Sequence, residues 1–474
     1  MRTQLQKFTA FTNTLLPHET EYLLSIQQFN DEERLGILRL VNHNCHQIDQ
    51  FTPYDTAIDK RKYNHLQNWI ATRLSKIDVD EHFQWMINME QKIMTDSIQI
   101  SEEKELLKAI RKYQHPGFFF TKFYELVEQY RHFLLIRIRY ADHEKASVFL
   151  DTFREDYLFS KSVHERLHTA TLDIIGQYSG KNTESIQWEE WLTDVFYNEK
   201  LDGLNRYLAL VRLTFISFNY RKFELLRDKF DYLDAQFSTG RYYSKRLLLN
   251  YYSNRLMLHS SFQEYDKAAY YGYLSVRHKN HDYIHYVNNL CAVLLRMQRH
   301  HKAYQLMKNA LPEMKVTKNQ HSKVGFVAFY IETLNKNQLY KNAESYGDIF
   351  LRAYSKEILE YRWHLFFTVY FEALLRQNHT DKLLKIARKY KLQELDLHYQ
   401  SKATYLPSIP IYIQVAQYKE SLINRKTIHS QLAAYLEQYA GDKDKSISFN
   451  KQLSGLKDLI PEIVNHLQGL KWQV

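Results

Sequence analysis

Glycine and proline are scarce in this chain, 12 and 7 in 474 residues, which removes most of the turn chemistry a sheet protein needs. Nor is there any sustained alternation of apolar and polar residues. A β fold is therefore excluded and an all-α chain is expected. Cysteine is nearly absent: Cys45 and Cys291 lie too far apart in sequence for a disulfide framework and suit a reducing, intracellular compartment. No run of 18 apolar residues occurs, and the opening MRTQLQKFTAFTNTLLPHE has no continuous apolar stretch. The expected location is cytoplasmic, with no membrane partner.

Catalytic signatures are missing as well. The chain has no glycine-rich phosphate loop, no Gly-x-Ser-x-Gly elbow and no Cys-x-x-Cys pair, so no enzyme, catalytic residue or cofactor is expected. His18-Glu19 lacks the second histidine of the metalloprotease helix motif.

What is present is apolar and aromatic material, 45% hydrophobic with 37 Tyr and 27 Phe, arranged with a helical period. In Tyr286–Leu311, the residues Val287, Leu290, Val293 and Leu294 form one helical stripe, polar Gln298-Arg299-His300-His301 interrupts it, and Ala303, Leu306, Met307, Ala310 and Leu311 resume it. Pro312 is expected to end the second helix. Neither helix is long enough to stand alone in water, so each must bury its stripe on a neighbour.

The corner between them recurs. Aligning the residue that opens each second helix gives Phe223, Ala268, Ala303, Ala343 and Leu383, spaced by 45, 35, 40 and 40 residues, and a corner at His143-Glu-Lys-Ala146 precedes Phe223 by 77. Self-similarity at such periods marks a stacked helical repeat, or solenoid. The unit around Ala303, with Leu290-Cys291 and Ala310, resembles a tetratricopeptide repeat, and Tyr265-Asp-Lys-Ala268 is similar to that family's corner. The periods exceed the family's usual 34 residues or so. The resemblance spans roughly residues 201–392 and implies a helical-hairpin solenoid that recognises proteins or peptides.

Four regions follow. Residues 1–116 read as a helical N-terminal region, 117–200 as hairpins leading into the solenoid, 201–400 as the repeats and 401–474 as C-terminal helices capping it. Asn30-Asp-Glu-Glu33 reads as a helix start, Phe118 to Arg139 as one long apolar helix, and Gly441 to Lys445 as a polar linker. Residues 1–116 carry 14 Lys and Arg against 16 Asp and Glu, a net of −2, so the remainder holds +12 of the chain's +10. That balance favours an acidic partner for the repeats.

Three side-chain groups are candidates for chemistry. His278, His281 and His285 lie at i, i+3 and i+7, a spacing that could gather zinc ligands; their position between units favours a solvated corner, and no metal is expected. His43, Cys45 and His46 have no fourth ligand nearby and suit a helix C-terminus. Gly240-Arg-Tyr-Tyr-Ser-Lys-Arg246, followed by Tyr251 and Tyr252, interleaves base with aromatic rings as single-strand binders do. A repeat helix with a wet basic face explains it as well.

The resemblance adds a groove. In that family the first helix of each unit lines the concave side, and an Asn at its sixth position holds a peptide backbone. Asn254 and Asn289 stand there, 35 residues apart, with Asn250, Ser253, His285 and Asn288 beside them; an amide both donates and accepts, which suits an extended chain. In the next unit Gly325 and Phe329 replace the basic residues that clamp a terminal carboxylate, so that clamp is not expected. The expected function is a non-enzymatic protein- or peptide-binding scaffold. The alternatives are a peptide-sensing regulator with N-terminal output helices, and a nucleic-acid binder.

Overall fold

The computed structural model describes residues 5–178, 184–400 and 405–469, and among them every regular element is helical, with no strand. The chain divides into two compact units, Met1–His278 and Lys279–Val474.

The first unit runs α1 (Gln6–Thr12), α2 (Pro17–Ile26), α3 (Glu32–His46), α4 (Lys60–Ile77), α5 (Val79–Met94), α6 (Ile100–Arg111), α7 (Phe120–Ile136), α8 (Tyr140–Thr152), α9 (Arg154–Tyr178), α10 (Glu189–Tyr197), α11 (Gly203–Tyr220), α12 (Glu224–Ser238), α13 (Lys245–Ser261) and α14 (Tyr265–Ser275). Side-chain oxygens cap many of these starts. Asp59, Asp78, Asp202 and Ser244 each accept from a backbone N–H in the first turn of the helix that follows, satisfying donors that the helix itself cannot. The cap of α3 is Asp31, whose Oδ1 accepts from Glu33 and Arg34 at 3.1 and 3.3 Å, one residue later than the sequence suggested.

The N-terminal helices are bonded to this unit, with α2 packed on α12. Pro17, His18, Glu19 and Thr20 are all buried. Glu19 accepts from the Tyr243 hydroxyl at 2.5 Å and from the Leu16 N–H at 2.8 Å, and its carboxylate lies 2.7 Å from Lys245 Nζ. His18 Nδ1 lies 2.7 Å from the Tyr252 hydroxyl and its Nε2 3.0 Å from Asp234. Arg277 donates to the Leu15 and Gln47 carbonyls at 3.2 and 3.0 Å.

The second unit runs α15 (Tyr283–Arg296), α16 (His300–Asn309), α17 (Leu311–Val316), α18 (Gln320–Lys336), α19 (Tyr340–Ala353), α20 (Ser355–Tyr361), α21 (Trp363–Arg376), α22 (Thr380–Lys389), α23 (Leu392–Tyr399), α24 (Ser408–Lys419), α25 (Arg425–Tyr439), α26 (Lys443–Gly455) and α27 (Pro461–Gly469). Its packing repeats: α15 lies against α18, α18 against α21 and α21 against α24, while α16, α19 and α22 each contact both the helix before them and the α18, α21 or α24 that follows. One apolar core runs from Val324 of α18 to Leu467 of α27. Gly347 of α19 lets this happen closely, because a Cβ there would run into the Tyr370 ring of α21.

Each corner is built alike. Gln263, Gln298, Gln338 and Asn378 hold positive φ, between 57° and 61°. The following N–H reaches back five residues, as in Arg299 to Leu294 at 2.9 Å, Leu339 to Leu334 at 2.8 Å and His379 to Leu374 at 2.9 Å. This is the Schellman closure of a helix C-terminus. Five residues after each such corner stand Ala268, Ala303, Ala343 and Leu383, all fully buried.

The two outer corners sit elsewhere than the alignment put them. Positive φ falls at Arg221 and Ile138, so the fifth residue onward is Leu226, which is buried, and not Phe223, while Ala146 lies one turn deeper inside α8. The apolar run from Phe118 is a shorter helix than expected, closed by Ile138. Pro312 does not stop helical structure: it occupies the first turn of α17, where its missing N–H has no partner to lose. Gly441 to Lys445 is likewise no linker, since Asp442 caps α26 by accepting from the Lys445 N–H at 3.1 Å.

Candidate functional site

The first helices of the second unit carry polar groups at matching places. Arg296, Lys336, Arg376 and Lys419 end α15, α18, α21 and α24, 40, 40 and 43 residues apart. Three of them hold neighbouring elements: Lys336 donates to Glu372 at 3.2 Å, Arg376 to Asp458 at 3.0 Å and the Gly455 carbonyl at 2.7 Å, and Lys419 to Asn378 at 2.8 Å. The C-terminal α26 is thereby tied to the end of α21.

Glu332 of α18 lies among these cations without a direct hydrogen bond or ion pair among the described residues. Desolvation raises its pKa to about 7, with Glu372 adding to the rise and Lys336, Arg296 and Lys451 opposing it. The sign follows from the charged form being disfavoured in the fold. An unfolded Glu ionises near 4.5, so the folded state loses stability as pH rises from there to about 7 and is level above that. Glu332→Gln should melt with the wild type at pH 4 and increasingly above it toward pH 7; a difference that does not change with pH would refute this environment.

At the other end of these helices a second set converges. His285 is exposed on α15 and accepts from the Asn289 amide at 3.2 Å, one turn on. Asn288 is buried, and its amide donates 2.9 Å to the Ser322 carbonyl, joining α15 to α18. Arg362, at the joint of α20 and α21, donates from Nε to His321 Nε2 at 2.9 Å. Burial pushes the His321 pKa down to about 4, helped by the Arg362 charge and by His285.

Gly325 lets Arg362 and Asn288 approach the α18 backbone closely. A Cβ there would stand 3.0 Å from an Arg362 guanidinium nitrogen and 3.2 Å from the Asn288 amide nitrogen. Sequence reasoning saw only an absent base at Gly325. In the structure a base arrives from the next helix, across the space that glycine leaves.

The remaining candidates are placed as follows. Asn250, Ser253 and Asn254 belong to α13 of the first unit. Asn254 donates to Asn250 at 2.9 Å, Asn250 also accepts from the Tyr207 hydroxyl at 2.7 Å, and Ser253 is buried. His281 precedes α15, so it shares no helix with His285. At the end of α3, His46 is engaged by Glu21 at 2.9 Å and the Asn42 carbonyl at 2.9 Å, and burial pushes the Cys45 thiol up to about 12. Groups of three or more His, Cys, Asp or Glu poised for a metal are absent among the described residues.

The basic tyrosine stretch is used internally. Arg246 forms a two-bond pair with Asp80 at 2.8 and 3.0 Å, Tyr242 receives the Arg206 guanidinium at 2.7 Å, and Tyr243, Tyr251 and Tyr252 are buried. A cleft of about 560 Å³ lies nearby, between α12, α13 and α14. Several of its charges pair within it: Arg255 to Asp231 at 2.8 Å, His259 to Glu264 at 2.7 Å and Lys267 to Glu264 at 3.3 Å.

No described helix is long and apolar enough to cross a membrane. Comparison of the chain with protein-family models, with curated proteins and with solved structures finds no match in any of the three.

Proposed function

We propose that the chain is a tetratricopeptide-like helical-repeat scaffold whose second unit binds a protein or peptide along its first helices, without catalysis. The observation that carries this reading is the side-by-side packing of α15, α18 and α21 together with the polar set His285, Asn289, His321 and Arg362 at one end of them. Exposed His285 and half-buried Asn289 supply acceptor and donor groups that suit an extended backbone. Asn288 serves as a strut between helices. The basic excess of residues 117–474 favours an acidic partner, and the cytoplasm is the proposed compartment.

The nucleic-acid reading draws less support, because Lys245, Arg246 and the rings of Tyr242, Tyr243, Tyr251 and Tyr252 are engaged or buried within the first unit. A regulator in which the first unit's Asn250, Ser253 and Asn254 take part in sensing is the second reading, favoured by the direct bonding of α2 to α12 and α13.

A photo-crosslinking residue tests the face. Placed at His285 it should capture a partner in the native host, whereas the same residue at Lys308, exposed on α16, should not. Equal capture at both positions would reject this face.

A further inference from the structure

We propose that the outward face of α16, α19 and α22 is a docking surface for double-stranded nucleic acid, which it holds by the phosphates. The surface lies on the second unit, uses none of the groups of the basic tyrosine stretch, and takes a ligand other than the proposed peptide.

Charge is divided unevenly between the two units. Residues 279–474 hold 28 Lys and Arg against 17 Asp and Glu, a net of +11, while residues 1–278 hold 36 against 37. Part of this excess stands on the second helix of each hairpin. These helices lie side by side: the Asn337 amide donates to the His300 carbonyl and the Gln377 amide to the Tyr340 carbonyl, both at 3.1 Å. Lys382 of α22 also reaches Glu344 and Asp348 of α19, at 2.7 and 2.6 Å. Their exposed faces therefore form one surface. Lys308, Lys341, Arg352, Arg388 and Lys389 are exposed on it and make no ion pair among the described residues. Asp381 is the one exposed acid on the three helices, and Lys385 takes it at 2.6 Å.

A cation in the last turn of a helix complements its dipole, which accounts for Lys308, Arg352, Arg388 and Lys389 one by one. It does not account for Lys341, which stands in the first turn of α19, where the dipole disfavours a cation. Nor does it explain the scarcity of acids; α12 of the first unit alone exposes Glu224, Asp228 and Asp231.

The side chains between the cations choose the partner. Ile349 is the one large apolar residue exposed on these helices, and no Phe, Tyr or Trp is exposed there. A protein would find few apolar or aromatic anchors, and a single strand would find no ring to stack on. Gln305, Asn309, Asn342 and Ser345 are exposed among the cations, and such groups serve phosphate oxygens. Size agrees as well. Helices packed about 10 Å apart make a face about 20 Å wide. A duplex with one charge per ~1.7 Å of axis presents about 12 phosphates over that length, about half of them on the near side. Five unpaired cations suit that number, and contacts of this kind carry no sequence information.

The test uses the full chain and two fluorescein-labelled DNA duplexes of unrelated sequence, with one of their single strands, polyglutamate and phosphatidylserine vesicles for comparison. Both duplexes should bind equally. The slope of log affinity against log salt should be about −4.5 for five phosphates, a loss of about 500-fold between about 50 and 200 mM salt. Lys308→Gln, Arg388→Gln and Lys389→Gln together should bring the slope to about −2. The same loss of charge through Lys104→Gln, Lys108→Gln and Arg111→Gln, exposed on α6, should leave it unchanged. A wild-type slope near zero overturns the proposal without any variant, and equal weakening by the two triple variants overturns the placement of the face. Tighter binding to the single strand, to polyglutamate or to the vesicles overturns the duplex assignment. The reading of the first helices fails separately: crosslinking there is scored as captured protein, whereas what the outer face holds at Lys308 is nucleic acid, which nuclease removes.

Discussion

Ala303→Glu should destabilise the second unit by about 3 kcal/mol or more, because it drives an ionised side chain into a helix crossing with no cation or donor to receive it. Ala303 is fully buried on α16, the helix that packs on both α15 and α18. A Cβ methyl is all that this crossing holds. The added volume alone strains a well-packed interior, and the charge adds desolvation that no pairing offsets. Urea unfolding followed by circular dichroism checks the result. Wild-type unfolding by the variant would mean that the hairpin of α15 and α16 does not close as described.

Glu19→Ala should cost about 3–5 kcal/mol, the usual range when one partner of a buried ion pair is removed. The Glu19 carboxylate is fully buried, while Lys245 is 26% exposed at its side chain. The variant also strands the Tyr243 hydroxyl and the Leu16 N–H, both of which donate to this carboxylate. Its effect should concentrate on α2. Hydrogen exchange is the appropriate readout: α2 amides should lose protection by several orders of magnitude while α11 amides lose far less. Unchanged protection of α2 would show that the N-terminal helices are held by other contacts.

The helical class was legible because its signals are local. Stripes at 3.6-residue spacing, Asp and Ser caps, and a polar break followed five residues later by a buried Ala or Leu located the corners at Gln263, Gln298, Gln338 and Asn378. The outer corners shifted by a turn because positive φ at Arg221 and Ile138, like that at Gln263, Gln298 and Gln338, is not announced by residue type, and there the apolar spacing fits more than one register. With Phe223 and Leu226 both apolar and one turn apart, a stripe alone could not choose between them.

Contacts distant in sequence were not legible. His18-Glu19 carried no recognisable motif, and its role comes from Asp234, Tyr243, Lys245 and Tyr252, over 200 residues away. Gly325 misled in a related way. Read along the chain it is a missing side chain, whereas its consequence depends on what crosses it, and Arg362 lies 37 residues further on. Asn288 and Asn289 looked equivalent in sequence, yet the rotation of α15 buries the first against α18 and leaves the second half-exposed.

The proposed role of the second unit is tested most directly by affinity capture from the native host's lysate, with and without nuclease, comparing the wild type with His285→Ala plus Asn289→Ala. His285 is exposed and Asn289 half-buried, so the double variant should fold and melt with the wild type. The account predicts a captured protein that survives nuclease treatment and is lost with the double variant. Capture that disappears with nuclease, or that the double variant retains in full, would contradict it.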